Sequence, residues 1–80
     1  MIITLKYFGL LADITQLKEE HFTFDQETIS VSALKSKIES SYQNIQNITY
    51  NIAVNQTISD LQTTINDKDV IAFLPPFAGG

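Results

Sequence analysis

Apolar and polar residues alternate along IITLKYF at residues 2–8. Ile3, Leu5 and Tyr7 fall on one side, and Thr4, Lys6 and Phe8 on the other. A period of two predicts a half-buried strand. Gly9 closes it, and LLADITQ at 10–16 reads as a short turn or helical loop. Alternation returns in KEEHFTFD at 18–25, with Phe22 and Phe24 on one face, so the first two strands are expected to pair as an antiparallel hairpin. The period then changes. In SVSALKSKIESSY at 30–42, Val31, Leu34, Ile38 and Tyr42 recur at three- and four-residue spacing, with Ala33 flanking. That spacing predicts the main helix, with Lys35, Lys37 and Glu39 facing water. Ser30 suits its N-cap, where a side-chain oxygen meets the orphan N–H groups of the first turn. Asn44 to Asn47 break it.

YNIAV at 50–54 alternates again as a strand, and Asn55-Gln56 reads as a turn because Asn tolerates positive φ. TISDLQTTI at 57–65 is weakly patterned and has room for a short strand. Residues 66–69, NDKD, form a further turn. VIAFL at 70–74 is a near-continuous apolar run, expected as a central strand buried on both faces. Pro75 then removes an amide donor and keeps Leu74 extended, so the sheet must stop there.

The first and last strands are the most apolar. Setting them side by side and parallel in the centre, with the helix across one face, buries the most surface. This is an α+β, β-grasp (ubiquitin-like) fold with a mixed sheet, one main helix and an extended Gly-Gly tail. A ferredoxin-like sandwich would need a second helix, which 57–65 does not supply. The 80 residues are read as one domain, 1–80, with 75–80 protruding. A chain this short buries only about 60–65% of its unfolded surface, so its core must be fully used.

Composition narrows the chemistry. There is no cysteine, which removes disulfides, thiolate metal sites and side-chain persulfides. The one histidine, His21, has no second ligand near it, so no metal site is expected. Glu19 and Glu20 point to opposite faces of a strand and cannot act as an acid–base couple. Asp67 and Asp69 belong to turn chemistry. No phosphate-binding glycine loop is present, so nucleotide chemistry must be borrowed. Five lysines and no arginine face nine acids, with net charge −4 and pI about 4.6. Nucleic acid is therefore not an expected partner, and one with a basic docking surface is. No membrane span and no signal peptide are read, so the expected compartment is the cytoplasm.

The last residues, FLPPFAGG at 73–80, carry the candidate chemistry. Pro75 and Pro76 favour a stiff polyproline geometry of about 3.1 Å per residue, so residues 75–80 reach about 20 Å. Phe77 has no core left to enter, so it is exposed or held by a partner. Gly79 and Gly80 lack Cβ and can thread a channel too narrow for side chains. The Gly80 carboxylate can be activated as an acyl adenylate by a partner that binds ATP. With no cysteine in the chain, any sulfur carried must sit on that carboxylate. Across the sheet, Phe8 and Leu74 fall on the outward phase and are expected to form an apolar patch beside the tail exit.

These segments resemble the small subunits of molybdopterin synthase. The likeness is strongest in DKDVIAFLPPFAGG (67–80), next in AVNQT (53–57), and supported by YFGLLADIT (7–15) and TISVSALKSKI (28–38). Lys68 stands where that family's turn commonly has glycine, and a different turn shape is expected there. The resemblance implies that an E1-like adenylyltransferase forms a transient glycyl-adenylate at Gly80. A sulfur donor, such as a cysteine desulfurase or rhodanese system, converts it to a thiocarboxylate (1-thioglycine). Gly79 and Gly80 are then the reacting end. Phe8, Ile58, Leu74, Pro75, Pro76, Phe77 and Ala78 are the partner-binding residues. It further implies a heterotetramer of two large and two small subunits. Sulfur passes to cyclic pyranopterin monophosphate in a pocket mostly of the large subunit, so this chain has no bound cofactor and no activity alone. Other readings are a sulfur carrier for thiamine thiazole synthesis, a ubiquitin-like modifier joined through Gly80 to a lysine, and a plain interaction module. For Ile58, core and partner surface are equally open.

Overall fold

A computed structural model describes residues 1–76. The elements run β1 (Ile2–Tyr7), α1 (Leu10–Thr15), β2 (Glu19–Thr23), β3 (Thr28–Ser30), α2 (Val31–Ser41), a 3-10 turn (Gln43–Asn47), β4 (Asn51–Val54), β5 (Thr57–Ile58), β6 (Thr64–Asn66) and β7 (Val70–Leu74). The main sheet has the order β2-β1-β7-β4-β5, and β3 pairs with β6 in a small second ladder. β1 and β7 are parallel neighbours at the centre, in register from Thr4–Val70 to Tyr7–Phe73. β2 flanks β1 antiparallel, and β4 flanks β7 antiparallel. This is the β-grasp arrangement that the apolarity of the first and last strands predicts. Among the described residues no helix is long and apolar enough to cross a membrane.

One face of the sheet carries the core. Ile3, Leu5 and Tyr7 of β1 and Ile71 and Phe73 of β7 meet Val31, Leu34 and Ile38 of α2, all buried. Burying each such side chain stabilises the fold by roughly 1.5–3 kcal/mol. Ser30 caps α2 as the sequence predicts, its Oγ accepting from the Ala33 N–H at 3.1 Å.

Three expectations change. VIAFL is not buried on both faces: Ile71 and Phe73 are buried, whereas Val70, Ala72 and Leu74 are only partly so. The physical reason is that α2 covers one face, and among the described residues no layer covers the other. Lys35 and Glu39 do not simply face water. Tyr50 packs beneath them, its hydroxyl donating to Glu39 at 2.7 Å, and Lys35 lies 3.8 Å from Glu39 and 5.5 Å from the ring centre. The asparagine-rich break after α2 is an ordered 3-10 turn, because Ile45 within it is fully buried.

The turns at AVNQT and NDKD are one corner. Asn55 and Gln56 both take positive φ, 50° and 73°, which a tight hairpin between β4 and β5 requires. The Asn55 side chain then spans to the start of β7. Its Oδ1 accepts from the Val70 N–H, and its Nδ2 donates to Asp69 Oδ1, each at 3.0 Å. Asp69 Oδ2 accepts from the Asn66 N–H at 2.8 Å, and Asp67 Oδ1 from the Ile2 N–H at 2.7 Å. Lys68 keeps positive φ, at 71°, despite its side chain. That conformation costs a non-glycine residue roughly 1–2 kcal/mol. The Lys68 N–H donating to the Ile2 carbonyl at 2.7 Å helps hold it.

Candidate functional site

The candidate site is where β7 runs out into the tail, together with the sheet face opposite α2. The last ladder pair of β1 and β7 is Tyr7–Phe73. The Phe8 N–H extends it by donating to the Phe73 carbonyl at 3.2 Å. Phe8 and Leu74 therefore stand side by side on the open face. Phe8 is 44% exposed and Leu74 is partly buried. One row further in, Lys6 pairs with Ala72, Ala72 with Ala53, and Ala53 with Ile58. Directly paired residues share a face, so this row lies beside Phe8 and Leu74. Ile58 is 53% exposed, so it is not a core residue. The open face thus presents Phe8 beside Leu74, with Ala72 one row in and Ile58 further across on β5, and with Lys6 and Asn51 as the polar positions next to them. A shallow depression of about 400 Å3 lies at its edge, lined by Lys6, Tyr7, Phe8, Gly9, Ala12, Lys18 and Glu19.

Pro75 is partly buried and Pro76 exposed. The chain therefore stays packed for one residue beyond β7 before it leaves the sheet. Phe77, Ala78, Gly79 and Gly80, which carry the reacting end of the sequence reading, lie outside the described residues.

One polar cluster escapes the sequence reading. Glu20 pairs with Leu5, which places its carboxylate on the core side of β2. Its Oε2 accepts from the Tyr7 hydroxyl at 2.5 Å and from the Tyr42 hydroxyl at 3.0 Å. The signal was available: an acid at the inward phase of a strand needs a buried donor. Burial first, then the hydrogen bond and charge of Glu20, push both phenols above the ordinary tyrosine value. Tyr50 is raised in the same way by burial and by Glu39.

A pH dependence follows. Unfolded tyrosines titrate near 10, roughly. Above that pH the unfolded chain loses phenolic protons that the folded chain keeps, so stability falls as pH rises. Tyr7, only 2% exposed, contributes a slope of about 1.4 kcal/mol per pH unit until its folded value is reached. Thermal melts are expected to drop above about pH 10. Tyr7→Phe should fall less steeply there. Equal slopes for the two proteins would remove Tyr7 from this account.

Among solved structures, the chain resembles a putative molybdopterin converting factor subunit 1 from Pyrococcus furiosus. The TM-score is 0.87 at 21% identity, covering 96% of this chain and 99% of that one. SAMP1 from Haloferax volcanii matches with TM-score 0.81 at 17% identity, covering all of both chains. These two likenesses speak for the fold. A third structure is a protein–protein complex of subunits 1 and 2 of the molybdopterin-converting factor from Helicobacter pylori. The match is 30% identical over the whole of both chains, with TM-score 0.65. The ThiS family model matches residues 5–80, from within β1 through the tail. The chain belongs to the ThiS family and is a ubiquitin-like β-grasp protein of the sulfur-carrier kind.

Proposed function

We propose that this chain is the sulfur-carrying small subunit of a molybdopterin synthase, with the sulfur held on the Gly80 carboxylate. The observation that carries the reading is the apolar open face of Phe8, Leu74 and Ile58, continuous with the root of a side-chain-poor tail. That combination suits a protein that docks by one face and delivers its end into a partner's pocket. The whole-length likeness to the Helicobacter protein favours molybdopterin over other acceptors.

The steps are these. A carboxylate oxygen of Gly80 attacks the α-phosphorus of ATP held by an E1-like adenylyltransferase, and pyrophosphate leaves. A hydrosulfide equivalent from the sulfur donor attacks the acyl carbon, and AMP leaves with its electron pair. The product is a thiocarboxylate. In the synthase the thiocarboxylate sulfur attacks a carbon of the pterin precursor held by the large subunit, and a carbon–oxygen bond there breaks with its electron pair on oxygen. Water hydrolyses the resulting thioester, leaving the sulfur on the pterin and returning the glycine carboxylate. Two such rounds build a dithiolene. Gly79 and Gly80 serve by having no side chains, and Pro75, Pro76, Phe77 and Ala78 line the approach.

Intact mass spectrometry tests this. The protein is incubated with ATP, sulfide and an adenylyltransferase of the molybdenum-cofactor pathway. Exchange of one oxygen for sulfur at Gly80 is expected, followed by molybdopterin formation with the large subunit and precursor. Exchange without molybdopterin would move the thiamine-type carrier ahead, a reading that the ThiS family match favours. No exchange would remove both.

A further inference from the structure

The β1–α1 junction holds a feature that neither the docking face nor the tail chemistry uses. Gly9 has φ 56° and ψ −132°. This is the first central position of a type II′ turn, where glycine is strongly favoured. Its surroundings are equally restrictive. A Cβ added at Gly9 would lie 3.1 Å from Pro75 Cγ and 3.8 Å from Pro75 Cβ and Cδ. The Pro75 ring therefore lies directly on the bare face of Gly9. Three hydrogen bonds hold the platform under that ring. The Phe8 N–H donates to the Phe73 carbonyl at 3.2 Å, the Leu11 N–H to the Phe8 carbonyl at 3.1 Å, and the Ala12 N–H to the Gly9 carbonyl at 3.1 Å. They bind the end of β1, the start of α1 and the end of β7 into one corner.

We propose that Gly9 is a positioning residue for the tail: its bare face seats the Pro75 ring and so fixes the direction in which the chain leaves the sheet. The inference rests on the reading of Gly80 as the reacting end. Gly80 lies five positions beyond Pro75, so the direction set at Pro75 decides where the reacting end starts from. Misplacing a reacting group by about 1 Å can cost about a hundredfold in rate. Docking depends on Phe8, Leu74 and Ile58, which a change at Gly9 leaves in place. Loss of aim should thus appear in kcat and not in KM.

The test uses three variants of the full chain. Gly9→Ala fills the seat. Pro75→Ala removes the ring without straining Gly9, so it reports even where Gly9→Ala folds badly. Pro76→Ala removes a proline of equal stiffness from an exposed position outside the contact. With the adenylyltransferase, kcat for Gly80 activation is expected to fall at least about tenfold in Gly9→Ala and Pro75→Ala, with KM within about twofold in Gly9→Ala. Pro76→Ala should lose clearly less in kcat than Pro75→Ala, because its ring is not the one seated on Gly9. Equal losses in Pro75→Ala and Pro76→Ala would make chain stiffness the cause and overturn the proposal. So would unchanged kcat in the first two variants.

A readout independent of any enzyme separates this from failure of the functional reading. The Cα–Hα residual dipolar coupling at position 76 reports the direction of the chain just past Pro75. It should change in Gly9→Ala and Pro75→Ala while couplings within β1 and β7 stay put. If wild-type Gly80 is never activated but these couplings move, the functional reading fails and the seat stands. If they do not move, the seat fails whatever the enzyme does.

Discussion

Phe73→Ala is expected to lower stability by about 3–5 kcal/mol, the usual cost of emptying a buried aromatic site. For 80 residues the whole stability is about 4–12 kcal/mol, so this one change removes a large share of it. Phe73 is fully buried. Its ring lies 5.4 Å from that of Tyr7 and 5.7 Å from that of Tyr50, centre to centre. Its backbone pairs with Tyr7 on one side and Ile52 on the other. The two rings packed on it, Tyr7 and Tyr50, are tethered through their hydroxyls to Glu20 and Glu39, which opposes their moving into the space. A melting temperature lower by roughly 12–40 °C should be seen by circular dichroism at neutral pH. Leu74→Ala, one residue on and facing the open side, should cost far less. A fall below about 5 °C for Phe73→Ala would mean that the core collapses onto the gap and is less tightly packed than described. The Phe73 carbonyl accepts the Phe8 N–H, a main-chain bond that Phe73→Ala retains, so the change reads the side chain's packing alone.

The parts legible in the sequence are those set by local periodicity. The alternation of Ile3, Leu5 and Tyr7 and the spacing of Val31, Leu34 and Ile38 encode burial directly, and the core follows them. Phe8 and Leu74 were legible as a patch because parallel neighbours must share a phase. What stayed hidden depends on partners far away in sequence. VIAFL reads as buried on both sides because apolar residues mark both a core face and a docking face, and only the position of α2 separates them. Glu39 appears solvated until Tyr50, eleven positions on, is seen to donate to it. Asn55 looks like ordinary turn chemistry, yet it also ties together two turns separated by a whole strand pair. The Gly9–Pro75 seat could not be read from either residue alone. A glycine after a strand has many explanations, and only the contact distance selects one.

Phe8→Asp should separate docking from chemistry. Phe8 is 44% exposed, and the change should leave stability within about 0.5 kcal/mol, the usual range for a surface site. On the proposed function, its effect should fall on binding to a synthase large subunit. An aromatic anchor at the centre of an interface is worth about 2–4 kcal/mol, roughly 30- to 1,000-fold in Kd. An aspartate adds the cost of taking a charge out of water beside Leu74. Isothermal titration calorimetry of the two proteins with the large subunit gives the Kd ratio, and a thermal melt gives the stability. A large drop in melting temperature would assign Phe8 to the core, and a Kd within about threefold would take it out of the interface. Deleting Gly79 and Gly80 is the complementary control. That protein keeps Phe8, Leu74 and Ile58, so most of its affinity should survive, yet it has no Gly80 to activate and should form no thiocarboxylate. The full-length protein with aspartate at position 8 should still be convertible to the thiocarboxylate at high enzyme concentration. If the two variants fail in these opposite ways, the open face and the tail are separable devices, one for recognition and one for delivery. If the truncated chain loses affinity as severely as Phe8→Asp does, the tail is itself a principal anchor, and recognition and delivery are a single event.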